Sequence, residues 1–200
     1  DVKGHGTIGL ITYLRTDSIR VSEEADEAAK QFVTDNYGKD FVMESEQKKS
    51  DKKKIQDAHE AIRPTYVDIT PAEVKDSLSR DLFRLYQLIW KRFLASRMQA
   101  AKYETATVKL DGSGYRFTAT TSELVFDGFM AVYCPEKEEE TKEVKGGFLK
   151  NLTKDSEIKL EELLPARHFT SPPAHYNEAS LVKTLEELGI GRPSTYAPTI

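Results

Sequence analysis

Two hundred residues, 38% hydrophobic and 31% charged, suffice to bury a core in one large or two small units. No apolar run approaches the ~20 residues of a membrane span, and no signal-peptide or targeting pattern is present. The single cysteine, Cys134, excludes an intrachain disulfide and leaves no Cys pair for zinc, which fits a reducing cytoplasm. The net charge of −4 is unevenly spread: residues 1–100 hold 17 Lys plus Arg against 17 Asp plus Glu, and residues 101–200 hold 12 against 16. A near-neutral protein can still bind DNA when its cations line one groove, so net charge leaves that class open. The abrupt ends at Asp1 and Ile200 predict an excerpt from a longer protein.

In chain order, the β-branched, apolar run Ile8 to Thr12 predicts a strand delivering Tyr13, Arg15, Thr16, Asp17 and Ser18 at its end. Ser22 is placed to cap a helix whose first turn carries Glu23 and Glu24. Ala25, Ala28, Ala29, Phe32 and Val33 form its expected apolar face, and Gly38 ends it. The polar stretch 44–58, with five lysines between Lys48 and Lys54, reads as a solvated loop or frayed helix end. Thr70-Pro71-Ala72-Glu73 is a helix start with a proline in the first turn and a capping-box glutamate. A long amphipathic helix follows to about Met98, with Leu82, Leu85, Tyr86, Ile89, Phe93 and Leu94 as its apolar stripe.

The pattern then changes period. Glu104 to Leu110 and Tyr115 to Thr121 alternate about the turn Asp111-Gly112-Ser113-Gly114, a hairpin signal. Leu124 to Tyr133 and Glu157 to Leu160 are further strand candidates, interrupted by a charged loop at 135–147. After Ser171-Pro172-Pro173, Asn177 starts a helix with Leu181, Leu185 and Leu188 inward and Gly189 as its stop. Gly191-Arg192-Pro193-Ser194-Thr195 then turns into a second helix, in which Pro198 is expected to be tolerated because first-turn N–H groups lack partners anyway. The expected class is multidomain α+β, with a mostly helical domain over 1–98, an antiparallel β domain over 99–170 and the start of a helical domain over 171–200.

Three clusters can carry chemistry: Thr12-Tyr13-Leu14-Arg15-Thr16-Asp17-Ser18, Ala58-His59-Glu60-Ala61-Ile62-Arg63-Pro64, and Gly189 to Tyr196. On a strand, Tyr13 and Arg15 share a face, so the guanidinium can hold a phosphate while the phenol attacks phosphorus. A tyrosine hydroxyl is a poor nucleophile at its ordinary pKa of about 10, and a neighbouring cation favours the phenolate. Each cluster also has a plain structural reading. A tyrosine at a strand end is commonly a rim aromatic, His59 with Glu60 and Arg63 a polar helix end, and Gly191-Arg192-Pro193 a corner between helices. Arginine at a helix N-terminus is nevertheless a natural phosphate seat.

Taken together, these segments resemble the signature segments of the bacterial type IA DNA topoisomerases, in order and spacing over essentially the whole chain. The tyrosine in its Thr-Tyr-x-Arg-Thr-Asp-Ser setting is the most specific part, and Leu14 favours the topoisomerase I branch over topoisomerase III. The resemblance implies that Tyr13 attacks one strand of single-stranded DNA to form a 5′-phosphotyrosine link. Another strand passes through the gap and the break is resealed without ATP. It implies Arg15 as stabiliser of the phosphate, Thr16 and Asp17 as residues shaping the site, and His59 as a contact to a neighbouring phosphate supported by Arg63. Arg192, Ser194 and Thr195 would hold the DNA backbone. The implied fold is a winged-helix-like tyrosine domain, a β arch and part of a helical domain gripping single-stranded DNA. The Mg2+ site of the family lies in an N-terminal toprim domain, and no acidic triad of that kind stands in this sequence, so the chain is expected to be inactive alone. Rival readings are a topoisomerase III or reverse-gyrase piece, or a non-catalytic single-stranded-DNA-binding module in which the tyrosine stacks on a base.

Overall fold

The computed structural model describes residues 2–16, 18–43, 59–134, 152–154 and 156–200. The lysine run, the charged loop after Cys134 and Asp17 lie outside the described residues. The chain forms two compact units, Asp1–Leu152 and Thr153–Ile200.

In the first unit, α1 (Glu23–Tyr37) starts where the Ser22 hydroxyl accepts the Ala25 N–H at 3.4 Å. It stops at Gly38, whose φ of 104° is open to glycine and whose N–H reaches the carbonyls of Val33 and Thr34. Its first turn carries Glu23, Glu24 and Asp26, the favoured sign there. A short α2 (Pro71–Val74) is fixed by Glu73, whose carboxylate accepts both the N–H and the hydroxyl of Thr70 at 2.7 and 2.9 Å. The long α3 (Arg80–Ala95) supplies much of the core.

The face that α3 buries agrees with the expected one at Tyr86, Phe93 and Leu94 and departs from it at Leu82 and Leu85. Tyr86, Trp90, Phe93 and Leu94 are buried, whereas Leu82 and Leu85 are 56% and 50% exposed. Two hydrogen bonds set this rotation. Trp90 Nε1 donates to the Val67 carbonyl at 2.8 Å, and the Tyr86 hydroxyl to the Ile69 carbonyl at 2.6 Å. Both satisfy carbonyls in an irregular segment that would otherwise be buried unpaired. Burial first, then the charges of Asp68 and Glu73, pushes the Tyr86 pKa up to about 12. From α1, Ala29 and Val33 complete the core, with Phe32 edge-on to Trp90 at 5.6 Å. Asp26 ties α1 to the chain after α3 by accepting from Lys30 and Arg97 at 2.6 and 2.8 Å. Partial burial raises its pKa, but these two cations outweigh that and hold it below the ordinary value.

The hairpin is as expected: β1 (Lys102–Gly112) pairs antiparallel with β2 (Tyr115–Phe126). Ser113 and Gly114, at φ of 50° and 83°, form the two-residue turn whose twist suits a hairpin. Its root is fastened to the helical part. Gln99 N–H donates to the Phe41 carbonyl at 2.8 Å, Phe129 N–H to the Gln99 carbonyl at 2.8 Å, and the Phe41 and Phe126 rings lie 4.7 Å apart. Gly128 is required there, since a Cβ would fall 2.5 Å from the Gln99 carbonyl oxygen. Leu124 to Tyr133 is not a separate strand: β2 ends at Phe126 and a 3-10 turn, Gly128–Ala131, follows. Glu157 to Leu160 is irregular as well, because it has no strand to pair with among the described residues.

In the second unit, Asn177 caps α4 (Glu178–Glu187) reciprocally with Ser180, at 2.8 and 2.9 Å. Gly189 and Gly191 turn the chain, at φ of 69° and 82°, into α5 (Pro193–Thr199). Of the leucines expected to face inward, Leu181 and Leu185 are half-buried, while Leu188 is 67% exposed. Pro198 is the sixth residue of α5, beyond the first turn, and the helix ends one residue later.

The buried and exposed faces of α3 give a direct test. Leu94→Ala, at a fully buried position, lowers the unfolding free energy by about 3 kcal/mol, whereas Leu82→Ala changes it by less than about 0.5 kcal/mol. Denaturant unfolding followed by the fluorescence of the sole tryptophan, Trp90, reads both.

Candidate active site around Tyr13

The segment carrying Tyr13 is extended but is not the expected strand. Ile8, Leu10 and Ile11 pack partly against the core, and only Ile11 forms a bridge, antiparallel to Pro64. Two backbone bonds flank it: Thr12 N–H to the Arg63 carbonyl and Thr65 N–H to the Leu10 carbonyl, both 3.0 Å. Pro64 therefore occupies the pair position that donates nothing, where its missing N–H is costless. The ladder cannot extend past Tyr13, because the chain bends at Leu14 and Arg15. That bend also removes the strand argument that placed Tyr13 and Arg15 on one face.

Tyr13 stands at the end of this pairing, 58% exposed. Its ring lies against the imidazole of His59, with centroids 5.2 Å apart and planes tilted by 31°. The contact follows from the pairing, since His59 leads directly into the 61–65 segment held by residues 10–12. Sequence separation hides the association; the structure makes it.

The loop beyond Tyr13 is stapled internally. Thr16 Oγ1 accepts the Ser18 N–H at 3.0 Å, and the Ser18 hydroxyl, nearly buried, accepts the Arg20 N–H at 3.2 Å. Arg20 in turn offers its carbonyl to the Ala61 N–H at 2.8 Å, so the loop returns to the segment it left. Arg15 is exposed and has no ion-pair partner among the described residues. Asp17, expected to shape the site, lies outside them.

Arg63 is spent inside the protein. Its side chain is 13% exposed, and its Nε and Nη2 donate to Glu60 Oε2 at 2.9 and 2.7 Å. The remaining donors reach the carbonyls of Pro64 and Thr65 and the Ser22 hydroxyl, at 3.0, 3.4 and 3.5 Å. This guanidinium ties the His59 segment to the start of α1, whereas the side chains of Arg15 and Arg192 are exposed. Glu60 and Thr12 stand in the clusters singled out in the sequence, but sequence reasoning gave neither a role of its own in the site. The spacing of Glu60 and Arg63 was the available signal for the first; the partners of Thr12 are about fifty residues away.

Arg192, Ser194 and Thr195 belong to the second unit. Thr195 Oγ1 accepts the Arg192 N–H at 2.8 Å and donates to the Arg192 carbonyl at 3.0 Å, closing the corner before α5. Tyr196 seals it: a Cβ on Gly191 would lie 3.0 Å from the Tyr196 ring. Among the described residues no three His, Cys, Asp or Glu side chains come together to hold a metal, and no helix is long and apolar enough to cross a membrane.

A family model described as DNA topoisomerase matches residues 6–200. Among solved structures, the full-length topoisomerase I of Thermotoga maritima is similar, with a TM-score of 0.71 and 38% sequence identity. The match covers 98% of this chain and 30% of that one, so the chain spans less than a third of its structural relative.

The different states of the two arginines predict different costs. Arg63→Ala lowers the unfolding free energy by about 3 kcal/mol, because Glu60 is left charged and unpaired. Arg15→Ala stays within about 0.5 kcal/mol of wild type. Thermal or denaturant unfolding of both variants at neutral pH measures the contrast.

Proposed function

This chain belongs to the DNA topoisomerase family, and from that membership we propose that Tyr13 is the nucleophile of a type IA strand-cleaving and resealing reaction. The phenol oxygen attacks the phosphorus of a single-stranded DNA phosphodiester. The new O–P bond replaces the bond to the 3′ oxygen, which leaves as a hydroxyl once it takes up a proton; the DNA stays attached through a 5′-phosphotyrosine. Resealing is the same exchange in reverse. One phosphodiester is traded for another, so neither step requires ATP. Passage of a strand between the two steps changes DNA topology and relaxes negative supercoils.

The observation that supports this best is the exposed Tyr13 ring resting on His59, at the end of a segment whose backbone is pinned on both sides. In this reading Arg15 meets the charge that builds on the phosphate oxygens. His59 contacts an adjacent phosphate, Thr16 and Asp17 shape the loop, and Arg63 supports His59 through Glu60. Arg192, Ser194 and Thr195 hold the backbone of the strand. Among the described residues no cluster of carboxylates or imidazoles fits a magnesium site. We assign Mg2+ and the toprim-type acidic residues to a part of the enzyme outside these 200 residues, and the enzyme to the cytoplasm.

Reconstitution tests the proposal: this chain, the N-terminal region of a full-length relative, Mg2+ and labelled single-stranded DNA. Wild type forms a covalent adduct, Tyr13→Phe forms none, and Arg15→Ala reduces the rate of adduct formation by roughly 100-fold or more. Adduct formation by Tyr13→Phe at the wild-type rate would remove Tyr13 from the role. DNA retention by wild type and variant alike with no adduct supports a stacking module instead.

A further inference from the structure

We infer that Thr12 is a positioning residue whose side-chain hydroxyl holds the Tyr13 and His59 segments in one frame, so that the two rings meet the same strand of DNA as a unit. The catalytic meaning of this inference rests on the reading of Tyr13 above; its structural content does not. Thr12 Oγ1 donates to the Ala61 carbonyl at 2.9 Å, with the Arg63 carbonyl a more distant acceptor at 3.4 Å, and it accepts the Arg63 N–H at 3.0 Å. The Thr12 N–H adds its own bond to the Arg63 carbonyl. One residue next to Tyr13 thus satisfies the backbone on both sides of Ile62.

The arrangement is a two-point clasp. Ala61 gives its carbonyl to Thr12, which precedes Tyr13, and its N–H to Arg20, which closes the loop after Tyr13. Residues 13–19 are therefore a loop whose two ends are held on the segment that carries His59. The Glu60–Arg63 pair keeps that segment from shifting by anchoring it to Ser22. Backbone bonds alone fix the approach of the chains, but with a single bridge they leave the end of the pairing free to fray. The hydroxyl is the bond nearest that end. Reacting groups displaced by about 1 Å lose on the order of 100-fold in rate, so a device that fixes this end sets how well Tyr13 is aimed.

Two variants separate the hydroxyl from the shape of the side chain. Thr12→Val keeps the branched outline and removes the hydroxyl; Thr12→Ser keeps the hydroxyl and removes the methyl. The first readout needs no activity: the ring-proton NMR signals of His59 in the 200-residue chain, shifted by the Tyr13 ring current, with Tyr13→Leu marking the unshifted position. We expect Thr12→Val to move the His59 signals at least halfway to the Tyr13→Leu position and Thr12→Ser to leave them in place. In the reconstituted cleavage assay, Thr12→Val slows adduct formation at least about 10-fold with its Kd for single-stranded DNA unchanged, and Thr12→Ser recovers the wild-type rate within about twofold. His59 signals unmoved in Thr12→Val, or moved equally in Thr12→Ser, overturn the clasp. If Thr12→Val does not fold, Thr12→Ala is read on the same scale. A clasp seen by NMR together with an undiminished adduct in Tyr13→Phe defeats the nucleophile reading and leaves the clasp standing.

Discussion

The site depends on one short stretch of backbone pairing, in which residues 10–12 lie antiparallel to 63–65. Everything offered to solvent near Tyr13 hangs from it: the tyrosine itself, the histidine against it and the stapled loop between Leu14 and Arg20. The bend at Leu14 and Arg15 keeps the pairing short, and Pro64 does not weaken it. The proline sits at a position that needs no N–H, and it is fully buried beneath the segment it pairs with. A proline here favours the extended conformation of its neighbour. The result is a pinned segment with a free end, which suits a nucleophile that must be both aimed and accessible.

That pairing is supported from below by α3. Trp90 and Tyr86 each bury a polar atom on the carbonyls of Val67 and Ile69, and these residues continue directly from Thr65. The two tyrosines show how environment divides one residue type into two roles. Tyr86 is buried, its hydroxyl committed to a carbonyl and its ionisation opposed by desolvation and by two nearby carboxylates. Tyr13 is exposed and touches an imidazole. Exposure alone does not single it out, since Tyr66, Tyr103, Tyr115 and Tyr176 are also more than half exposed. Its place at the end of a clasped segment beside a histidine does.

Local signals were legible in the sequence. Ser22, Thr70 with Glu73 and Asn177 mark helix starts because capping is a matter of three or four consecutive residues, and Ser113-Gly114 marks the hairpin because positive φ selects its own residues. What failed was long-range. Periodicity reports that Arg80–Ala95 is an amphipathic helix, but the rotation about its axis is set by where Trp90 and Tyr86 find carbonyls, and that left Leu82 and Leu85 outside. The expected strand at 8–12 depended on a partner fifty residues away, and the partner allowed one bridge. Thr12 and Glu60 carried no role in the sequence because one holds distant backbone and the other a guanidinium, and neither presents chemistry of its own. Arg63 was expected to support His59, and the partners that fill its fork, Glu60 and two carbonyls, lie beyond what residue types alone indicate. The family resemblance itself was carried by residue types around Tyr13, His59 and Arg192, and the match over residues 6–200 agrees with it.

The central claim is that DNA is joined to Tyr13 and to no other of the nine tyrosines. The most direct measurement is mass-spectrometric mapping of the nucleotide-linked peptide after cleavage in the reconstituted enzyme is trapped by denaturation. The account predicts a single modified peptide containing Thr12, Tyr13 and Leu14, with the DNA phosphate on the phenol oxygen. A nucleotide found on any other tyrosine, or on a residue outside this chain, would contradict it.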